Sequence, residues 1–245
     1  MTSAIGPALA TSAQVFAGAA MTVAIVWTCA LPPPARADNL TSTQSVMSGN
    51  SPDGLGTWTV RYQRLDGSAS DIITEINDQL DAHAHNLVQQ ATWDGSTRRP
   101  WTYDAAGTLQ IQPTTASELF TAQYNTAEPH MPIQSVSSIV LDRRSATPIT
   151  WDNLFIDKTA GLTRLSEATE TALVATAPPA HVRDWKRQGQ FAPIDINFKA
   201  WTPTADGIEL HFPEFQYGGG LKTLKVPWSR VADQLRPEFA NLAIR

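Results

Sequence analysis

The chain has 245 residues, a formal net charge of −5, 42% hydrophobic residues and a single cysteine. That length and apolar content suffice for a buried core in one or two domains. The acidic balance, with no basic stripe interleaved with aromatics, excludes nucleic acid as the expected partner.

Residues 1–37 contain no Asp or Glu and one basic residue, Arg36. An apolar run from Val15 to Leu31 ends in Pro32, Pro33 and Pro34, followed by Ala35-Arg36-Ala37. An apolar core, a helix-breaking cluster and an A-x-A site predict a secretory signal peptide cut after Ala37. Left uncut, the same segment would be a membrane anchor. Cleavage removes Cys29 and with it disulfides, thiol chemistry and cysteine-based zinc sites. The expected product is secreted or envelope-associated and has no stable membrane span.

Residues 38–56 are polar and rich in Ser, Thr, Asn and Gly, which predicts a flexible N-terminal arm ahead of one domain over 57–245. Trp58, Val60 and Tyr62 then alternate with polar residues, the period of a half-buried strand. From Ser70 the period changes. Ile72, Ile73, Ile76, Leu80, Ala84, Leu87 and Val88 recur at helical spacing, with Ser70 as N-cap. The segment from Trp93 to Thr108 reads as irregular, punctuated by Gly and Pro. Three strands are expected next, over 109–112, 118–124 and 133–141.

Ile149 to Phe155 leads into a second helical pattern, Leu162 to Leu173, stopped by Pro178-Pro179. A basic stretch, His181 to Arg187, precedes the best-specified unit. There, strand-like runs 195–201 and 208–212 flank a turn at Thr204 to Gly207, and a glycine-rich loop leads to a third strand, 221–226. Asp-Gly between apolar runs is a strong hairpin signal, because glycine accepts the positive φ of a tight turn. The run after Trp228 predicts a short closing helix. The whole reads as α+β: antiparallel β-sheets packed with two main helices and a short C-terminal helix.

Ile149-Thr150-Trp151-Asp152-Asn153-Leu154-Phe155, then Phe198, Asp206-Gly207, Phe212 and Val226-Pro227, form a pattern with His130 and Pro132 upstream. This pattern resembles the domain shared by RsiV-type anti-sigma factors and a secreted immunogenic protein of mycobacteria. The resemblance covers roughly residues 57 to 236 and implies an α+β fold, export and a binding role with no established reaction. It implies the freestanding secreted type, without the anti-sigma segment. The loop Pro213 to Gly220 is shorter than the family's.

Candidate chemistry is sparse. His83 and His85 lie about 200° apart on a helix, so they do not share a metal ion. His211, alternating with Leu210 and Phe212, is expected at the surface. No G-x-S-x-G occurs. Gly218-Gly219-Gly220 precedes a strand rather than a helix N-terminus, so it does not cradle phosphate. Neither a cofactor, a metal nor a catalytic residue is expected. The leading reading is a binding protein for an extracellular protein or cell-wall glycan, through Glu214, Phe215, Tyr217, Gly218, Gly219, Gly220 and His130. Aromatics in loop-like segments, Trp93, Trp101, Tyr103 and Trp185, are further candidates. The alternative is a cell-wall or ester hydrolase using carboxylates such as Asp206, Glu209 and Glu214.

Overall fold

The computed structural model describes residues 40–67 and 70–243, and these form eight strands, four α-helices and several 3-10 turns. The leader expected over residues 1–37 lies outside them. The order is β1 (Thr41–Asn50), β2 (Gly56–Asp66), α1 (Asp71–Asp94), β3 (Trp101–Ile111), β4 (Thr115–Thr126) and β5 (Ile133–Asp142). There follow α2 (Trp151–Leu154), α3 (Lys158–Val174), α4 (Pro179–Arg187), β6 (Ala200–Pro203), β7 (Gly207–Phe212) and β8 (Lys222–Pro227). Strands β1 to β5 make one sheet in chain order, and β6 to β8 make a second. The α+β class is as expected. Among the described residues, no helix is long and apolar enough to cross a membrane.

Two expectations about local order are corrected. Residues 41–50 are a strand and not a loose arm, because β1 pairs antiparallel with β2 from Thr41↔Asp66 to Asn50↔Thr57. Ladder hydrogen bonds order this polar segment with little apolar burial: Met47 packs against the core while Val46 stays exposed. The stretch read as irregular likewise becomes β3 from Trp101 onward. Trp101, Tyr103 and Ala105 point one way into the core, an alternation that the flanking Pro100 and Gly107 disguise.

Helix α1 begins where the sequence places it, with the Ser70 hydroxyl accepting the Ile73 N–H at 3.2 Å. Its buried face, Ile76, Leu80, Ala84 and Ala91, covers one side of the five-stranded sheet. Under this helix the sheet is split. β2 and β3 pair in parallel only from Gly56↔Trp101 to Arg61↔Ala106. Beyond that point side chains replace the ladder, since buried backbone groups need partners. Glu118 Oε1 of β4 accepts the Gln63 N–H at 2.6 Å, and the Gln63 side chain accepts the Leu109 N–H at 3.2 Å. Asn77 of α1 accepts from Leu65 N at 2.8 Å and donates to Leu65 O at 3.1 Å. Gly107 makes room for this, because a Cβ there would overlap the Glu118 carboxyl.

The second core is aromatic. Trp151 stacks on Trp201 with ring centroids 4.7 Å apart and donates its indole N–H to Phe198 O at 3.0 Å. Phe198 meets Phe212 edge-on, and Gly207 lies against the Val226 carbonyl where a Cβ would not fit. The apolar residues of that pattern, Ile149, Trp151, Leu154, Phe155, Phe198, Phe212 and Val226, therefore converge on one cluster, which explains why they specify fold. His211 is buried, contrary to the surface expectation. Its Nε2 and Nδ1 bond Thr202 Oγ1 at 3.0 Å and Thr223 Oγ1 at 3.1 Å, so hydroxyls on both neighbouring strands satisfy the ring and allow its burial. The expected closing helix takes the form of 3-10 turns at Trp228–Arg230, Ala232–Gln234 and Pro237–Ala243.

Burial pushes the Glu118 carboxyl up to about 8, against the pull of the Gln63 N–H, and pushes His83 down to about 4. A raised acid contributes stability that is fully present below its unfolded value and lost as pH rises through the folded one. A depressed imidazole contributes stability present above its unfolded value and lost as pH falls through the folded one. Thermal stability should therefore decline from about pH 6.5 to pH 8.5 in the wild type. Melting curves of Glu118→Gln, which keeps an acceptor for Gln63, should show that decline removed and a gain of about 1–2 kcal/mol at pH 8.5.

Candidate functional site

The loop between β7 and β8 is built around Tyr217. Its ring is 1% exposed and packs edge-on against Phe212 at 4.8 Å and Trp185 at 5.4 Å, and lies nearly parallel to Phe191 at 5.4 Å. Its hydroxyl donates to Gln190 O at 2.7 Å, and burial pushes that hydroxyl up to about 12. Tyr217 is a core plug, so it is corrected from a ligand-facing residue to the residue that holds the loop.

Two further clamps flank it. The Glu214 carboxylate accepts the Gln134 N–H at 3.0 Å while the Glu214 N–H donates to Gln134 O at 3.1 Å, tying the loop to the start of β5. The Gln216 side chain donates to Asn197 O at 3.0 Å, tying it to the segment before β6. Between the clamps, Phe215 N–H donates to Gly218 O at 2.9 Å and closes a turn. Gly218 and Gly220 take φ of +103° and +73°, which their lack of a Cβ permits. Phe215 also has a left-handed φ, +71°, and its ring is 56% exposed. A bulky residue at such a φ carries strain of order 1–3 kcal/mol and tends to occur at functional sites.

The clamp at Asn197 brings a second apolar element beside the loop. Ile194 and Ile196, on the segment that Gln216 binds, are 50% and 61% exposed. The sequence hid them, because Ile194-Asp195-Ile196 looks like the start of a buried strand. The structure instead puts a 3-10 turn over Asp195–Phe198 and begins β6 at Ala200. Gly218 and Gly219 are exposed at the loop tip. His130 is exposed, with φ +64°, in the connection that leads to Gln134, so it shares this end of β5 without a direct bond to the loop. Of the other aromatic candidates, Trp93 is 86% exposed at the end of α1, while Trp101, Tyr103 and Trp185 are buried.

Asp206 and Glu214 do not come together for acid-base work. Asp206 lies in the β6–β7 turn, paired with Lys225 at 3.2 Å, and Lys225 stands opposite Glu209 in the ladder. Glu214 follows the far end of the six-residue β7. Six residues at about 3.3 Å each separate the two ends by roughly 20 Å, well beyond a working glycosidase pair. His83 Nε2 bonds Ser137 Oγ and His85 Nδ1 bonds Asp81 O, so the two rings diverge. Among the described residues, no cluster of His, Cys, Asp or Glu is placed to hold a metal ion.

No protein-family model matches the chain, and no curated protein matches it. Solved structures do. A DUF3298 family protein from Pseudomonas aeruginosa superposes with a TM-score of 0.58 at 14% identity, over 84% of this chain and 97% of that one. A member of the same family from Bacteroides fragilis gives 0.59 at 12% identity, over 85% and 98%. The chain shares the DUF3298 fold. At these identities the likeness carries the architecture and leaves the ligand to this chain's own surface.

The two aromatics of the loop should separate in stability measurements. Tyr217→Ala should cost about 3–5 kcal/mol in chemical unfolding, the usual range for a buried ring. Phe215→Gly should gain about 1 kcal/mol, since glycine relieves the left-handed backbone and little packing is lost.

Proposed function

We propose that this protein is a non-enzymatic binding module, secreted or held in the cell envelope, that engages a protein partner through Phe215, Ile194 and Ile196. The observation that carries the reading is Phe215. Its ring projects into solvent from a loop that is otherwise clamped at three points, on a backbone conformation that disfavours any bulky side chain. An aromatic anchor held in place before binding loses little entropy on association, which is how interface hot spots gain affinity.

The aliphatic neighbours favour a protein over a glycan. Sugar rings stack on aromatics but also need polar groups alongside for their hydroxyls, whereas Ile194 and Ile196 offer hydrocarbon. The leader pattern supports export. The shared fold supports the RsiV-type resemblance, since DUF3298 proteins are related to RsiV-type extracytoplasmic domains.

The test is affinity capture from envelope and culture-supernatant fractions with the chain from Asp38 onward. The wild type should retain a specific protein, and Phe215→Ala or Ile196→Asp should lose it by about 30-fold or more, as expected for an anchor worth about 2 kcal/mol. Equal capture by wild type and both variants would refute this surface. Retention of purified cell-wall glycan, sensitive to Phe215→Ala, would replace the protein partner with a glycan one.

A further inference from the structure

A second feature lies apart from the Phe215 surface, between α1 and strands β3 to β5. There the C-terminal half of the helix and the sheet leave a cleft of about 490 Å³, walled by Leu87, Ala91, Phe120, Val136 and Pro213. This volume falls in the range of small-molecule sites, which are mostly apolar with a few converging polar groups. Three such groups are present. Tyr103 lines the cleft, is only 7% exposed, and its hydroxyl has no hydrogen-bond partner among the described residues. Lys199 lines it too and makes no ion pair among the described residues. Asp94 lines it from the last turn of α1, its carboxylate accepting the Gln90 side-chain N–H at 2.5 Å.

Lys199 also borders a smaller hollow of about 310 Å³ beside Trp151, Asp152 and Asp195. The two carboxylates there are already bridged by Lys158, at 2.9 Å and 2.6 Å. The Lys199 charge is therefore not consumed on that side and remains available to the larger cleft. The Tyr103 hydroxyl, facing an open cleft rather than sealed in the core, is free to donate, and a cation beside an apolar wall selects an opposite charge.

We propose that this cleft binds a small amphipathic anion, an alkyl or aryl carboxylate or sulfonate, with its apolar body against Phe120 and Val136 and its head between Lys199 and the Tyr103 hydroxyl. Asp94 sets the orientation, since it repels the charged head. The cleft meets the base of the β7–β8 loop at Pro213 but shares none of Phe215, Ile194 and Ile196, so it stands or falls independently of the proposed protein-binding surface.

Two fluorescent probes test it, anilinonaphthalene sulfonate as the anion and phenylnaphthylamine as its uncharged analogue. The folded wild type should bind the sulfonate at one site, and dodecanoate should displace it. Lys199→Ala should weaken the sulfonate about fivefold and leave the neutral probe unchanged, the size expected for one partly screened charge contact. Tyr103→Phe should weaken it while melting as a folded protein, Asp94→Asn should tighten it, and Phe215→Ala should leave it unaltered. No sulfonate binding to folded wild type, equal loss of both probes in Lys199→Ala, or loss in Phe215→Ala would each overturn the assignment.

Discussion

The burial of Tyr217 is the constraint on which the β7–β8 loop depends. Its ring joins the strand side of the small sheet, through Phe212, to the helical side, through Trp185 and Phe191. Its hydroxyl reaches the backbone of Gln190. Because that ring must point inward, the loop it belongs to cannot turn freely. Phe215 precedes it by two residues, and Gly218 to Gly220 absorb the sharp return to β8. The outward ring is a consequence of the inward one.

The five-stranded sheet shows the same logic in a polar form. Where β2 and β3 part, Glu118, Gln63 and Asn77 take over the ladder's hydrogen bonds. A carboxyl buried in this way is favoured in its protonated form, so the sheet's integrity is coupled to pH through Glu118. Removing its partner, or its space at Gly107, would open the split beneath α1.

Much of this was legible in the sequence, and the rest was hidden for identifiable reasons. The helix from Ser70, the hairpin at Asp206-Gly207 and strands β4, β5 and β7 are where the sequence places them, although Gly207 is required by its close approach to the Val226 carbonyl and not by the expected positive φ. Strand β1 was not legible, because a polar edge strand is ordered by its neighbour's backbone and carries no apolar signature of its own. The N-terminal part of β3 was masked by Gly and Pro. His211 reads as exposed by alternation alone, and only Thr202 and Thr223, on two other strands, bury it. In the β7–β8 loop, the sequence pattern does not show which aromatic points inward. Phe215 and Tyr217 are similar residues two positions apart, yet one is core and the other surface, a difference set by Trp185 and Phe191 from a distant helix and turn. The nearness of Ile194 and Ile196 to this loop is marked by a Gln216 to Asn197 contact that no local pattern announces.

The central claim is that the loop is held rigid before any partner arrives. Amide hydrogen exchange in the free protein measures this most directly. The Glu214 and Phe215 N–H groups, bonded to Gln134 O and Gly218 O, should exchange far more slowly than an unfolded chain, in step with the β7 amides. Exchange of both at the unfolded rate while β7 stays protected would contradict the account, because it would mean that Tyr217 does not hold the loop and that Phe215 is not a preformed anchor.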